Sequence, residues 1–198
     1  MMRFDRFTAQ AQDAASRAYE VLQRYGHNQV DTEHILLALL EQPESVIPPI
    51  LEQLGADPSI INKRLNDVLR ASPKGVVYGG GTGQVFITPR VKRIIDLANE
   101  EANRLGDDYI APAHIFLAIL SERNTAVSRI LAEAGVSKEG VSALVQGGSD
   151  PPDEKPLTIP FVRMWLELPL DKLLSAIDQL SPEDARQVYD RLRKRFDS

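Results

Sequence analysis

Thr32-Glu33-His34-Ile35-Leu36-Leu37-Ala38-Leu39-Leu40 is answered 80 positions later by Pro112-Ala113-His114-Ile115-Phe116-Leu117-Ala118-Ile119-Leu120. At the same offset, moving outward on one side, Thr8 aligns with Thr88, Ala18 with Ala98, Glu20 with Glu100, Arg24 with Arg104 and Gly26 with Gly106. On the other side Ile50-Leu51 falls over Ile130-Leu131 and Gly55 over Gly135, without a gap. A supersecondary unit has been duplicated in tandem, so the fold is to be read once and applied twice.

Within the first copy, Thr8 to Arg24 holds neither glycine nor proline, and Ala11, Ala14, Ala15, Ala18, Val21, Leu22 and Tyr25 recur at three- and four-residue steps. That spacing predicts an amphipathic helix capped by Thr8 and ended by Gly26. Thr32 is read as the N-cap of a second helix through Leu40, apolar on nearly every side and therefore central and buried. Pro43 and Pro48-Pro49 break the chain before a short helix through Leu54, ended at Gly55. Asp57-Pro58, an N-cap followed by proline at the first helical position, opens a fourth helix to about Arg70. The second copy repeats the scheme from Thr88-Pro89 to about Val145. The expected fold is all-α: two pseudo-symmetric four-helix repeats packed into one globule, plus a C-terminal helical hairpin.

The chain divides accordingly into a double-repeat domain over 1–146 (repeat 1 about 4–71, linker 72–86, repeat 2 about 87–146), a Pro/Gly-rich linker over 147–158 and an amphipathic tail over 159–198. In the tail, Trp165 lies in an apolar stretch, and Leu170, Leu173, Leu174 and Ile177 fall on one helical face. Ser181-Pro182-Glu183-Asp184 starts a further helix whose stripe is Val188, Tyr189, Leu192 and Phe196. Such a hairpin is too small to bury its own faces. It is expected to dock on the repeats, on a second copy of the chain, or on a partner.

Composition narrows the function. Of 198 residues 43% are hydrophobic and 26% charged, as in soluble globular proteins, and the net charge of −5 argues against a nucleic-acid surface. Arg186, Arg191, Arg193, Lys194 and Arg195 are accounted for by a helix C-terminus, interrupted by Asp190 and Asp197. Cysteine is absent, which excludes disulfides and thiolate chemistry and suits a reducing cytoplasm. No signal-peptide pattern opens the chain and no apolar run is long enough to span a membrane, so a cytoplasmic location is expected.

Catalytic constellations are equally lacking. His27, His34 and His114 are the only histidines, and the last two stand at equivalent positions near the start of the buried helices, where their rings can pair with backbone groups. No His-x-x-x-His pair or nucleophile elbow accompanies them, so neither a metal nor a catalytic residue is assigned. Asn99-Glu100-Glu101 reads as a solvated helix surface. Ser72 to Gly83 is rich in glycine but lacks the Lys-Ser/Thr and the preceding strand of a phosphate loop, and is read as a linker. No cofactor is implied, and the chain is expected not to be an enzyme.

The motif from Gly26 through Asp31-Thr32-Glu33-His34-Ile35-Leu36-Leu37-Ala38-Leu39 resembles the signature of the Clp amino-terminal domain, found ahead of the ATPase modules of ClpC-, ClpA- and ClpB-type unfoldases. Phe86-Ile87-Thr88-Pro89-Arg90-Val91-Lys92-Arg93 resembles the start of its second repeat. The resemblance covers residues 1–146 and implies a non-catalytic role: engaging adaptors and protein substrates of ATP-dependent proteolysis or quality control. The chain carries no Gly-x-x-x-x-Gly-Lys-Ser/Thr, so the expectation is an adaptor, accessory or competitor whose partners are a Clp-type unfoldase or protease, an adaptor, or a degradation substrate. The tail offers a second contact or a homo-oligomer interface. A stand-alone binder of a small ligand or modified peptide is the alternative. ClpC-like members recognise phosphorylated arginine with a helix-start threonine and the glutamate before the buried-helix histidine. The resemblance carries these roles to Thr8 and Glu33, and to Thr88 in the second repeat, where Ala113 replaces the glutamate.

Overall fold

A computed structural model describes residues 6–73 and 85–145. The first repeat contains α1 (Ala9–Tyr25), β1 (Gln29–Val30), α2 (Thr32–Glu41), α3 (Ile47–Gln53) and α4 (Pro58–Ala71). The second contains β2 (Phe86–Ile87), α5 (Pro89–Leu105), α6 (Pro112–Ser121), α7 (Ala126–Glu133) and α8 (Lys138–Leu144). The linker residues 74–84, the second linker from 146 and the tail with Trp165, Leu170, Leu173, Leu174, Ile177, Val188, Tyr189, Leu192 and Phe196 lie outside the described residues.

Local chemistry sets the helix boundaries. Thr8 caps α1 by accepting from the Ala11 N–H, and Thr88 caps α5 by accepting from the Val91 N–H. Gly26 and Gly106 close these helices with φ of 69° and 80°, a left-handed turn that a side chain would resist. Two boundaries differ from the sequence reading. Asp31, not Thr32, is the N-cap of α2: its backbone is extended and its Oδ1 accepts from the Thr32 N–H at 2.8 Å, which makes Thr32 the first helical residue. Pro48 and Pro49 stand inside the first turn of α3 rather than before it, where a missing N–H leaves no bond unmade.

The buried helices are the centre. Leu36 to Leu39 in α2 and Phe116 to Ile119 in α6 have no solvent exposure, and the two helices touch. Each such leucine or phenylalanine removed from water contributes roughly 1.5–3 kcal/mol before entropy is counted. Across the repeats α4 packs on α7, with an Arg64–Glu133 ion pair at the rim, and α3 packs on α8. The two halves therefore share one core.

The repeats are also joined crosswise. β2 of the second repeat pairs in parallel with β1 of the first, Ile87 opposite Val30, and the Phe7 segment of the first pairs with Ile110 of the second. The Thr88 N–H donates to the Val30 carbonyl and the Thr8 N–H to the Ile110 carbonyl, both at 3.1 Å. The start of the first long helix of each repeat thus lies against the start of the buried helix of the other.

Candidate functional site

This crossing brings helix ends together at two equivalent junctions, termed cleft A and cleft B. Cleft A is formed by the starts of α5 and α2 and the end of α6, and cleft B by the starts of α1 and α6 and the end of α2. Thr8 therefore belongs to cleft B, and Glu33 shares cleft A with Thr88. Gln42, at the end of α2, donates to the Gln10 carbonyl beside Thr8, so Thr8 and Glu33 sit at opposite ends of a ten-residue helix, about 15 Å long. The threonine and glutamate assigned together from within one repeat are not neighbours. Thr88 and Glu33, from different repeats, are.

Cleft A is charged. Asp31 Oδ1 accepts from Thr32 N–H and from the Thr88 hydroxyl at 3.1 Å, and the Nη1 of Arg90 lies 3.1 and 3.0 Å from its two oxygens. Arg90 also faces the buried Glu122 at 3.8 Å, which Arg93 approaches at 3.6 Å. Glu33 is half-buried in the first turn of α2, and its own N–H bonds its carboxylate. Burial pushes its pKa up, as does the charge of Asp31, against the pull of its amide and of Arg90. Among the described residues no cation pairs directly with it.

Cleft B holds none of these charges. At the fixed offset Asp31 becomes Ala111, Glu33 becomes Ala113, Arg90 becomes Gln10 and Glu122 becomes Gln42. The α6 N-cap accordingly makes no side-chain hydrogen bond, and the Oε1 of the buried Gln42 has no hydrogen-bond partner among the described residues.

Beneath each cleft a histidine braces the helix start, as its place in the sequence suggested. The Asp31 N–H donates to His34 Nδ1 at 3.0 Å and the Ala111 N–H to His114 Nδ1 at 2.9 Å. With Nδ1 accepting, the ring hydrogen of the neutral form sits on Nε2. In the first repeat Nε2 meets His27 Nδ1 at 2.8 Å, and in the second it faces Asp107 at 2.9 Å. Burial, reinforced by His27, lowers the His34 pKa to about 4. Burial lowers that of His114 as well, opposed by Asp107.

Sequence reasoning missed Asp31, Arg90 and Glu122; their joint replacement in the other copy was the available signal. It also misplaced Glu101, which is buried and not solvated. Burial there is overcome by hydrogen bonds from Lys138 and Arg104, so its pKa is lowered. Among the described residues no cluster of side chains could hold a metal ion, and no helix is long and apolar enough to cross a membrane.

Comparison with known proteins matches this architecture. The chain is 35% identical over 141 residues to the Bacillus subtilis negative regulator of genetic competence ClpC/MecB, with 69% of this chain and 16% of the relative covered. It is 33% identical over 136 residues to the chaperone ClpB of Oceanobacillus iheyensis, again covering 69% and 16%. The chain thus spans about one sixth of the length of these curated relatives. Among solved structures, the Candida albicans Hsp104 N-terminal domain superposes with a TM-score of 0.59 at 20% identity, covering 69% of this chain and 87% of that one. A ClpV N-domain solved in complex with a VipB peptide superposes with a TM-score of 0.53 at 20% identity, covering 69% and 82%. With the crossed four-helix repeats on one side and a family model matching residues 6–134 on the other, the chain belongs to the Clp repeat (R) N-terminal domain family.

Proposed function

We propose that this chain is a non-catalytic polypeptide-binding module that serves a Clp-type machine as an adaptor or accessory. The observation that carries this is the concentration of charge in cleft A around Glu33, a half-buried carboxylate that no cation among the described residues pairs with directly. Such a group takes a basic side chain of a partner: a guanidinium or ammonium seated there offsets the desolvation that the carboxylate already bears. Support for a polypeptide ligand comes from the ClpV N-domain, which shares the fold and was solved with a peptide. Support for a link to Clp machines comes from the ClpC and ClpB relatives.

The test is a reconstituted one. The full chain is added to a purified Clp-type unfoldase and protease degrading an unfolded protein. The degradation rate should change severalfold, and Glu33→Gln should abolish most of the effect. An unchanged rate at saturating chain rejects the adaptor role. An effect that Glu33→Gln leaves intact rejects cleft A as the contact.

A further inference from the structure

Cleft A has acids where a ligand's anionic group would need donors. The Thr88 hydroxyl is directed to Asp31, the Thr32 N–H ends on Asp31, and the Val91 N–H ends on Thr88. Arg90 spans both oxygens of Asp31 and faces Glu122 on its other side. Pro89 has no N–H to offer. Asp31, Glu33 and Glu122 stand here together with Arg90 and Arg93.

Resting on the reading that cleft A receives a basic side chain, we infer that it selects an unmodified cation and excludes a phosphorylated one, with Asp31 as the residue that sets this specificity. A phosphoryl group entering beside Glu33 would have to displace the Asp31 carboxylate from Arg90 and Thr88, or lie against it uncompensated. The first route loses charge-assisted hydrogen bonds already made within the protein, and the second sets two anions side by side. A bare guanidinium displaces nothing and pairs with Glu33. The expectation from resemblance, phosphoarginine bound by a threonine and a glutamate, thus meets a cleft whose threonine, Thr88, is already committed.

The full chain is titrated at 0.15 M salt with two labelled glycine–serine peptides identical except for one central residue, arginine in one and phosphoarginine in the other. The arginine peptide should bind at least tenfold more tightly. Asp31→Asn keeps an oxygen to cap Thr32 and accept from Thr88 but frees Arg90, and should narrow the ratio about tenfold by strengthening phosphoarginine binding. Arg90→Gln, which copies cleft B, should strengthen arginine binding and leave phosphoarginine without gain. Circular dichroism melting confirms that each variant is folded. Phosphoarginine binding equal to or tighter than arginine, or a ratio unmoved by both variants, overturns the specificity while leaving Glu33-dependent binding in place. Binding of neither peptide, or of both regardless of Glu33→Gln, overturns the underlying reading as well.

Discussion

The starts of α2 and α6 have similar backbones, an equivalent bracing histidine and an equivalent main-chain pairing with the other repeat, yet almost every charge around the first is missing from the second. Cleft A has Asp31, Glu33, Arg90 and Glu122 where cleft B has Ala111, Ala113, Gln10 and Gln42. The histidine bond to the N-cap amide, 3.0 Å in one and 2.9 Å in the other, survives this exchange. What persists in both copies is therefore what the fold requires, and what differs is available for recognition. The comparison separates structural from functional chemistry inside one molecule.

The strongest challenge to it is to the shared core. Leu36 and Phe116 hold equivalent places and neither is exposed. Leu36→Ala should destabilise the domain by about 3 kcal/mol and Phe116→Ala by about 4 kcal/mol, within the range for emptied core sites. Because α2 and α6 pack on each other, urea denaturation of either variant should show one cooperative transition. Two separated transitions would mean that the repeats are independent and that the crossed strands do not couple them.

Acid sharpens the comparison next. A histidine with a folded pKa of about 4 and an ordinary value of 6.5 binds its proton more readily in the unfolded chain between those limits. Stability should therefore fall as pH drops from about 6.5 to about 4, with up to about 3 kcal/mol from His34 alone. His114 adds in the same direction, softened by Asp107. His27→Asp gives the first repeat the arrangement of the second, and should flatten the His34 part of the slope in urea midpoints measured across this range, leaving the share due to burial. An unchanged slope would show that the neighbour at this position does not govern the difference.

The smallest effect concerns what the repeats hold in common. Gly26→Ala and Gly106→Ala should each lower stability by about 1 kcal/mol, because both glycines end a helix in the left-handed region. Thermal melting should give nearly equal losses. A clear inequality would show that the two helix ends are less alike than their backbone angles.

The four helices per repeat, the threonine caps and the glycine stops were legible in the sequence because each is fixed by residues within one turn of chain. Asp31 and Thr32 were confused because either side chain can cap a helix, and only the extended backbone at Asp31 decides between them. The pairing of Thr88 with Glu33 was not legible. An internal repeat tells which residues are equivalent, but it does not tell whether each copy closes on itself or on the other. Glu101 was misjudged for a related reason: its partner Lys138 comes from a distant helix, and where Glu101 is buried the first copy has the apolar Val21.

The crossed strands have a consequence for how such a domain can evolve. Each cleft draws on both copies, so two identical separate chains assembled in this way would carry every substitution into both clefts at once. Joined in one chain, the copies vary independently. One cleft could lose its acids and arginine in a few substitutions while the other kept them, and the strand pairing that both clefts need involves only main-chain atoms that those substitutions leave alone.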